Sequence, residues 1–95
     1  MTRTVSATVY AVVFDDGVET RYYSGTSGVK LSLKLEQAKF YGTLAGAESR
    51  LRDCQSNTSW RGVTLHELGY QKNPAPQYRD PSNYTVRPVA VTLSL

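Results

Sequence analysis

LKLEQAKFYGTLAGAESRLRDC, residues 33–54, is the stretch whose reading decides the fold. On a helix of 3.6 residues per turn, Leu33, Phe40, Leu44, Ala47, Leu51 and Cys54 fall into one stripe. That spacing fits a helix with one buried face and fits a strand badly. Ser32 is placed to act as N-cap, since its hydroxyl can accept from a free amide of the first turn. No other segment has the periodicity of a second long helix. This one is therefore expected to lie across a sheet.

Working outward towards the N-terminus, Thr4 to Phe14 alternates. Val5, Ala7, Val9, Ala11 and Val13 fall on one side, and Ser6, Thr8, Tyr10, Val12 and Phe14 on the other, a strand pattern rich in β-branched residues. Asp15-Asp16-Gly17 supplies a turn, with Asp16-Gly17 suited to a two-residue type I′ hairpin. Val18 to Ser24 returns as a second strand, with Asp15 opposite Val18, Val13 opposite Thr20 and Ala11 opposite Tyr22. The face carrying Val5, Val9, Ala11, Val13, Val18, Thr20 and Tyr22 is expected under the helix. The other face, with Tyr10, Val12, Phe14, Arg21 and Tyr23, is then left outside. Ser24 to Gly28 reads as a loop and Val29 to Leu31 as a short extended lead-in.

Beyond the helix, Gln55 to Ser59 is a polar break and Trp60 to Tyr70 a third strand centred on Val63 and Leu65. Asn73 to Asn83 holds Pro74, Pro76 and Pro81 and reads as a loop, long enough to be a candidate functional one. Tyr84 to Leu95 is a final strand, in which Pro88 marks an edge position or a bulge. The expected fold is α+β: one domain over residues 1–95, with a single antiparallel sheet of about four strands in the order β-β-α-β-β and one long helix across one face.

Composition narrows function mainly by exclusion. The 95 residues carry 11 basic and 8 acidic side chains for a net charge of +3, with 40% apolar and 20% charged residues, the balance of a folded chain and not a disordered one. The basic residues are scattered from Arg3 to Arg87, without the clustered surplus of a dedicated nucleic-acid domain. One cysteine, Cys54, allows no internal disulfide, and Met1 to Val5 has no signal-peptide character. A cytoplasmic setting is expected, with no membrane partner. The glycosylation-type triplets Asn57-Thr58-Ser59 and Asn83-Tyr84-Thr85 are read as chance in that setting.

The chemical motifs are incomplete. His66-Glu67 begins a zinc-protease pattern, but Tyr70 stands where its second histidine belongs, and one His with one Cys cannot supply a nitrogen or sulfur metal set. Cys54 lies on the buried stripe near a helix C-terminus, the wrong end to stabilise a thiolate. Ser24 to Lys30 has its glycines three apart and lacks the Gly-Lys-Ser/Thr of a phosphate loop. Asp15 and Asp16 are explained by the turn. No enzyme activity, cofactor or metal is expected.

What is left is binding. The outer sheet face (Tyr10, Val12, Phe14, Arg21, Tyr23) and the Pro loop (Tyr78, Arg79) have the Tyr, Phe and Arg content of interface centres. Opposite the helix stripe lie Ala38, Gly42, Ala45, Gly46 and Ser49, small and uncharged. Gly42, Ala45, Gly46 and Ser49 form a strip against which a partner or a second copy could pack. The expectation is a small non-enzymatic protein-binding module, in the style of phage or mobile-element inhibitors that occupy a surface on a host protein. The alternative is a sheet that binds single-stranded or structured nucleic acid through Arg21-Tyr22-Tyr23, Tyr78-Arg79 and Tyr84 with Arg87.

Overall fold

The alternating N-terminal stretch forms one long strand, β1 (Thr4–Asp15), and the rest of the sheet is assembled on its two edges. The computed structural model describes residues 3–25, 29–57 and 62–94. Along one edge of β1 runs β7 (Tyr84–Ser94), antiparallel and in unbroken register from Phe14↔Tyr84 to Thr4↔Ser94. Pro88 sits opposite Tyr10 without a bulge, on a strand whose far edge pairs with no other among the described residues. An edge is where a residue without an amide proton does least harm.

The opposite edge of β1 is shared end to end by two short strands. β2 (Thr20–Tyr23) pairs at Val13↔Tyr22, and β4 (Phe40–Tyr41) takes the next positions, Ala11↔Phe40 and Tyr10↔Tyr41. The Lys39 amide donates to the Tyr23 carbonyl at 2.8 Å where the two meet. Between them the chain makes an excursion through β3 (Val29–Ser32), which extends the sheet from β2. Then come β5 (Val63–Leu65), parallel to β3, and β6 (Gly69–Gln71), antiparallel to β5. Parallel neighbours need a long crossover, and the helix α1 (Leu44–Asn57) lies within it.

The fold is thus α+β with one helix, as expected, but among the described residues the sheet has seven strands and is mixed. The predicted third strand, Trp60 to Tyr70, resolves into β5, a turn and β6, with Trp60 outside the described residues.

Three further expectations are corrected. First, the helix begins at Leu44 and not near Leu33. Its cap is Thr43, whose Oγ1 accepts from the Gly46 amide at 3.2 Å while its carbonyl accepts from Ala47 at 3.3 Å. Ser32 instead accepts from the Lys34 amide at 3.1 Å and donates to Gln37, closing a local turn. Upstream of Thr43, Leu33, Leu35 and Phe40 are exposed, and Phe40 is drawn onto the β1 edge. Only Ala47, Leu51 and Cys54 of the stripe face inward to any depth.

Second, the β1–β2 register is displaced by two residues, with Asp15↔Thr20 closing the hairpin. A type I′ turn needs positive φ at both central residues, and only Gly17 has it, at 87°. Asp16 acts through its side chain: Oδ1 accepts from the Val18 and Glu19 amides at 2.9 and 2.8 Å, and Asp15 accepts from Gly17 at 2.9 Å. These bonds organise a wider loop.

Third, the helix covers the other face. A two-residue slip preserves which side chains share a face, so Val12, Phe14 and Tyr23 stay together, but α1 lies on them. The core joins these three to Val29, Leu31, Cys54, Val63, Leu65, Tyr78 and Tyr84, with Leu51 and Val86 packed against it. Burying Phe14 and Tyr23 removes far more apolar area from water than burying Val9 and Ala11, at about 25 cal/mol per Å². The bulkier face therefore takes the helix.

The Pro-rich segment closes this core. Short helical turns at Pro76–Arg79 and Pro81–Asn83 bring the Tyr78 ring to 4.9 Å from Phe14, and Tyr84, at 5.3 Å from Phe14, donates to the Tyr78 carbonyl at 2.8 Å.

Candidate functional site

The predicted partner-binding face is largely interior. Val12, Phe14, Arg21 and Tyr23 are buried, as is Tyr78; Tyr10 is half-buried and Arg79 exposed. These residues share a region, but as core, not as an open surface. The same burial removes Arg21, Tyr23, Tyr78 and Tyr84 from any platform on which bases could stack.

The predicted helix strip is not assembled either. Gly42 precedes the helix and so does not lie one turn from Gly46 along it. Gly46 has a local reason to be glycine: an added Cβ would stand 3.1 Å from Thr43 Oγ1, crowding the helix cap. Ala45 and Ser49 are exposed on the helix.

Arg21 is a buried cation with two carboxylates of its own. Its Nε donates to Glu19 at 2.7 Å, one terminal nitrogen donates to Glu67 at 3.0 Å, and the other bonds both carboxylates. The Tyr78 hydroxyl completes the set, donating to Glu19 at 2.8 Å. Both carboxyls are held below their ordinary range, chiefly by the Arg21 guanidinium, and Arg21 is raised, first by Glu67. Every charge here is answered from within the chain, so the cluster fastens the β5–β6 turn and the Pro segment to β2.

Beside it, Ser32, Leu33, Lys34, Gln37, His66 and Glu67 line a cleft of about 270 Å³. His66 Nε2 lies 2.7 Å from Ser24 Oγ in an exposed position. No carboxylate holds the far ring nitrogen among the hydrogen bonds of the described residues, so the pair lacks the third member that orients a catalytic base. Cys54 is buried, and burial pushes its thiol up to about 12, far from a reactive thiolate.

The feature that remains unaccounted for is the far half of β1 and β7. β4 covers β1 only as far as Tyr10, so residues 4–9 and 89–94 run on as a two-stranded ribbon with both edges unpaired among the described residues. This extension matches the long axis of a molecule measuring 53 × 27 × 25 Å. Directly opposed residues of an antiparallel pair share a face. One face thus carries Val5–Leu93, Ala7–Val91 and Val9–Val89, and the other Thr4–Ser94, Ser6–Thr92 and Thr8–Ala90. Towards the tip Val5 is 39% and Leu93 53% exposed, Val9, Val89 and Val91 are half-buried, and no charged residue occurs in either half-strand.

Proteins usually guard an open edge with lysine, proline or a bulge. Here Pro88 stands at the base of the ribbon and nothing guards its length. The signal in the sequence is the absence of charge from residues 4–9 and 89–94; the structure adds that a 12-residue strand of about 40 Å is twice the length of the 14-residue helix, which cannot cover it all.

No family model, no curated protein and no solved structure matches the chain.

Proposed function

We propose that the chain is a non-enzymatic protein-binding module and that it binds through the ribbon 4–9/89–94. One observation carries the reading: an uncharged two-stranded ribbon with a partly exposed apolar face and two open edges, unpaired among the described residues, extends beyond the core. Two strands alone are marginal in water, and a sheet of this kind is stabilised when further strands or another surface cover it. Backbone groups on open edges can take up a strand, and Val5, Ala7, Val9, Val89, Val91 and Leu93 offer the apolar area. The test is capture from a cell lysate by the immobilised wild-type chain and by a V5D/L93D variant, read by mass spectrometry. Proteins held by the wild type are expected to be lost from the variant, with both giving the same melting temperature. Capture of the same proteins by both overturns the assignment of the ribbon.

A further inference from the structure

We propose that the occupant of the ribbon's apolar face is a second copy of this chain, stacked face to face with the two ribbons antiparallel about a two-fold axis. The inference rests on the ribbon being the binding surface and names its partner.

Two observations about charge favour a second copy. The ribbon carries no charge on either face, whereas the whole chain holds 19 charged residues. Homodimer interfaces are the more apolar class and are depleted in charge, while contacts with unrelated partners are about as polar as ordinary surface. Two copies of a chain of net charge +3 repel weakly overall, and an uncharged contact adds no like-charge pair to that repulsion.

The side chains are also matched to themselves. Ala7–Val91 lies midway along the face, with the bulkier pairs Val5–Leu93 and Val9–Val89 on either side. With the axis through the middle, the pair at one tip lies over the pair at the other base. Ala7, the smallest of the six, meets its own equivalent where the ribbons come closest. Arg3, next to the tip, is kept at the opposite end from its copy. A parallel stack would bring the two together.

Size sets the strength. Six residue pairs span about 20 Å, so two such faces cover less than the roughly 1,200–2,000 Å² of a stable interface. The dimer should be weak and readily reversible.

Sedimentation velocity on the full chain, from about 5 µM to about 1 mM, reads this directly. The wild type is expected to pass from monomer to dimer, V91E to remain monomeric throughout, and T92E, on the hydroxyl face, to dimerise like the wild type. Unchanged melting temperatures establish that each variant is folded. A second readout uses A7C with a short bis-maleimide, which should trap a covalent dimer that T8C does not, Cys54 being buried. A wild type that stays monomeric overturns the second-copy assignment. If ribbon-dependent lysate capture survives that result, the binding surface stands and only its occupant is wrong. Dimerisation that persists in V91E, or is lost in T92E, overturns the face-to-face stack.

Discussion

β1 and β7 are one antiparallel ladder with two fates. Between Tyr10 and Phe14 its residues lie among the helix, the Pro segment and two further strands; between Thr4 and Val9 they pair with β7 alone among the described residues. Register is continuous across the boundary and both halves alternate apolar residues. Strand formation is therefore a local property, and burial is decided by what else the chain can bring alongside. The inner half has Phe14 and Tyr84 to hold Tyr78 down. The outer half has only valine, alanine, one leucine and hydroxyls, enough to stay extended but too little to draw a loop over itself.

The comparison breaks most easily at Phe14. F14A removes the ring that Tyr78 and Tyr84 lean on and should cost about 3–5 kcal/mol in a urea melt. An effect below about 1 kcal/mol would mean that the inner half is not the core.

Next is its neighbour across the hairpin. R21M leaves Glu19 and Glu67 without their cation, but both carboxylates are partly solvated, so about 2 kcal/mol is expected where a fully buried pair would lose more. Because both folded carboxyls sit below their ordinary values, the stability they contribute is complete above about pH 4.5 and is lost as pH falls through their folded values. The melting temperature of the wild type should fall with acid over that window. That of R21M should fall less steeply, and equal slopes would remove the cluster from the account.

The lid over the inner half is held at its start by Thr43, and T43A should cost about 1 kcal/mol, with helix loss visible by circular dichroism. S32A, at the cap position expected from sequence, should leave the helix signal unchanged.

The smallest effect belongs to the outer half. V5A should change stability by less than about 0.5 kcal/mol at concentrations where the chain is monomeric. A loss comparable with that of F14A would show that the ribbon is already covered within one chain.

How far the sequence could be read divides along the same line. The strands at both ends of the ladder, the single helix and its inward Ala47, Leu51 and Cys54 follow from period alone. Which face the helix covers does not, because Val12 and Phe14 alternate with Ala11 and Val13 and both sides of the inner half are apolar. Leu33 and Phe40 share the helical period with the true stripe by coincidence. A stronger local signal, Gly42-Thr43 with a free hydroxyl for the first turn, sets the boundary instead. The partner of β7 is a long-range fact that no window of residues contains. Large aromatics have the composition of an interface, but this fold uses them to fill itself, while the apolar ribbon it leaves partly exposed is made of small residues.

That long-range pairing also fixes when the fold can form. Each rung from Phe14↔Tyr84 to Thr4↔Ser94 joins residues nearly a chain length apart, so the central ladder closes only after every intervening segment has been made. Contacts of such separation carry a large loop-closure cost and slow folding. Until β7 arrives, β1 is an apolar strand with one edge bare along its whole length. During synthesis, the uncharged run from Thr4 to Tyr10 is then the segment most exposed to mispairing with its neighbours on the same message.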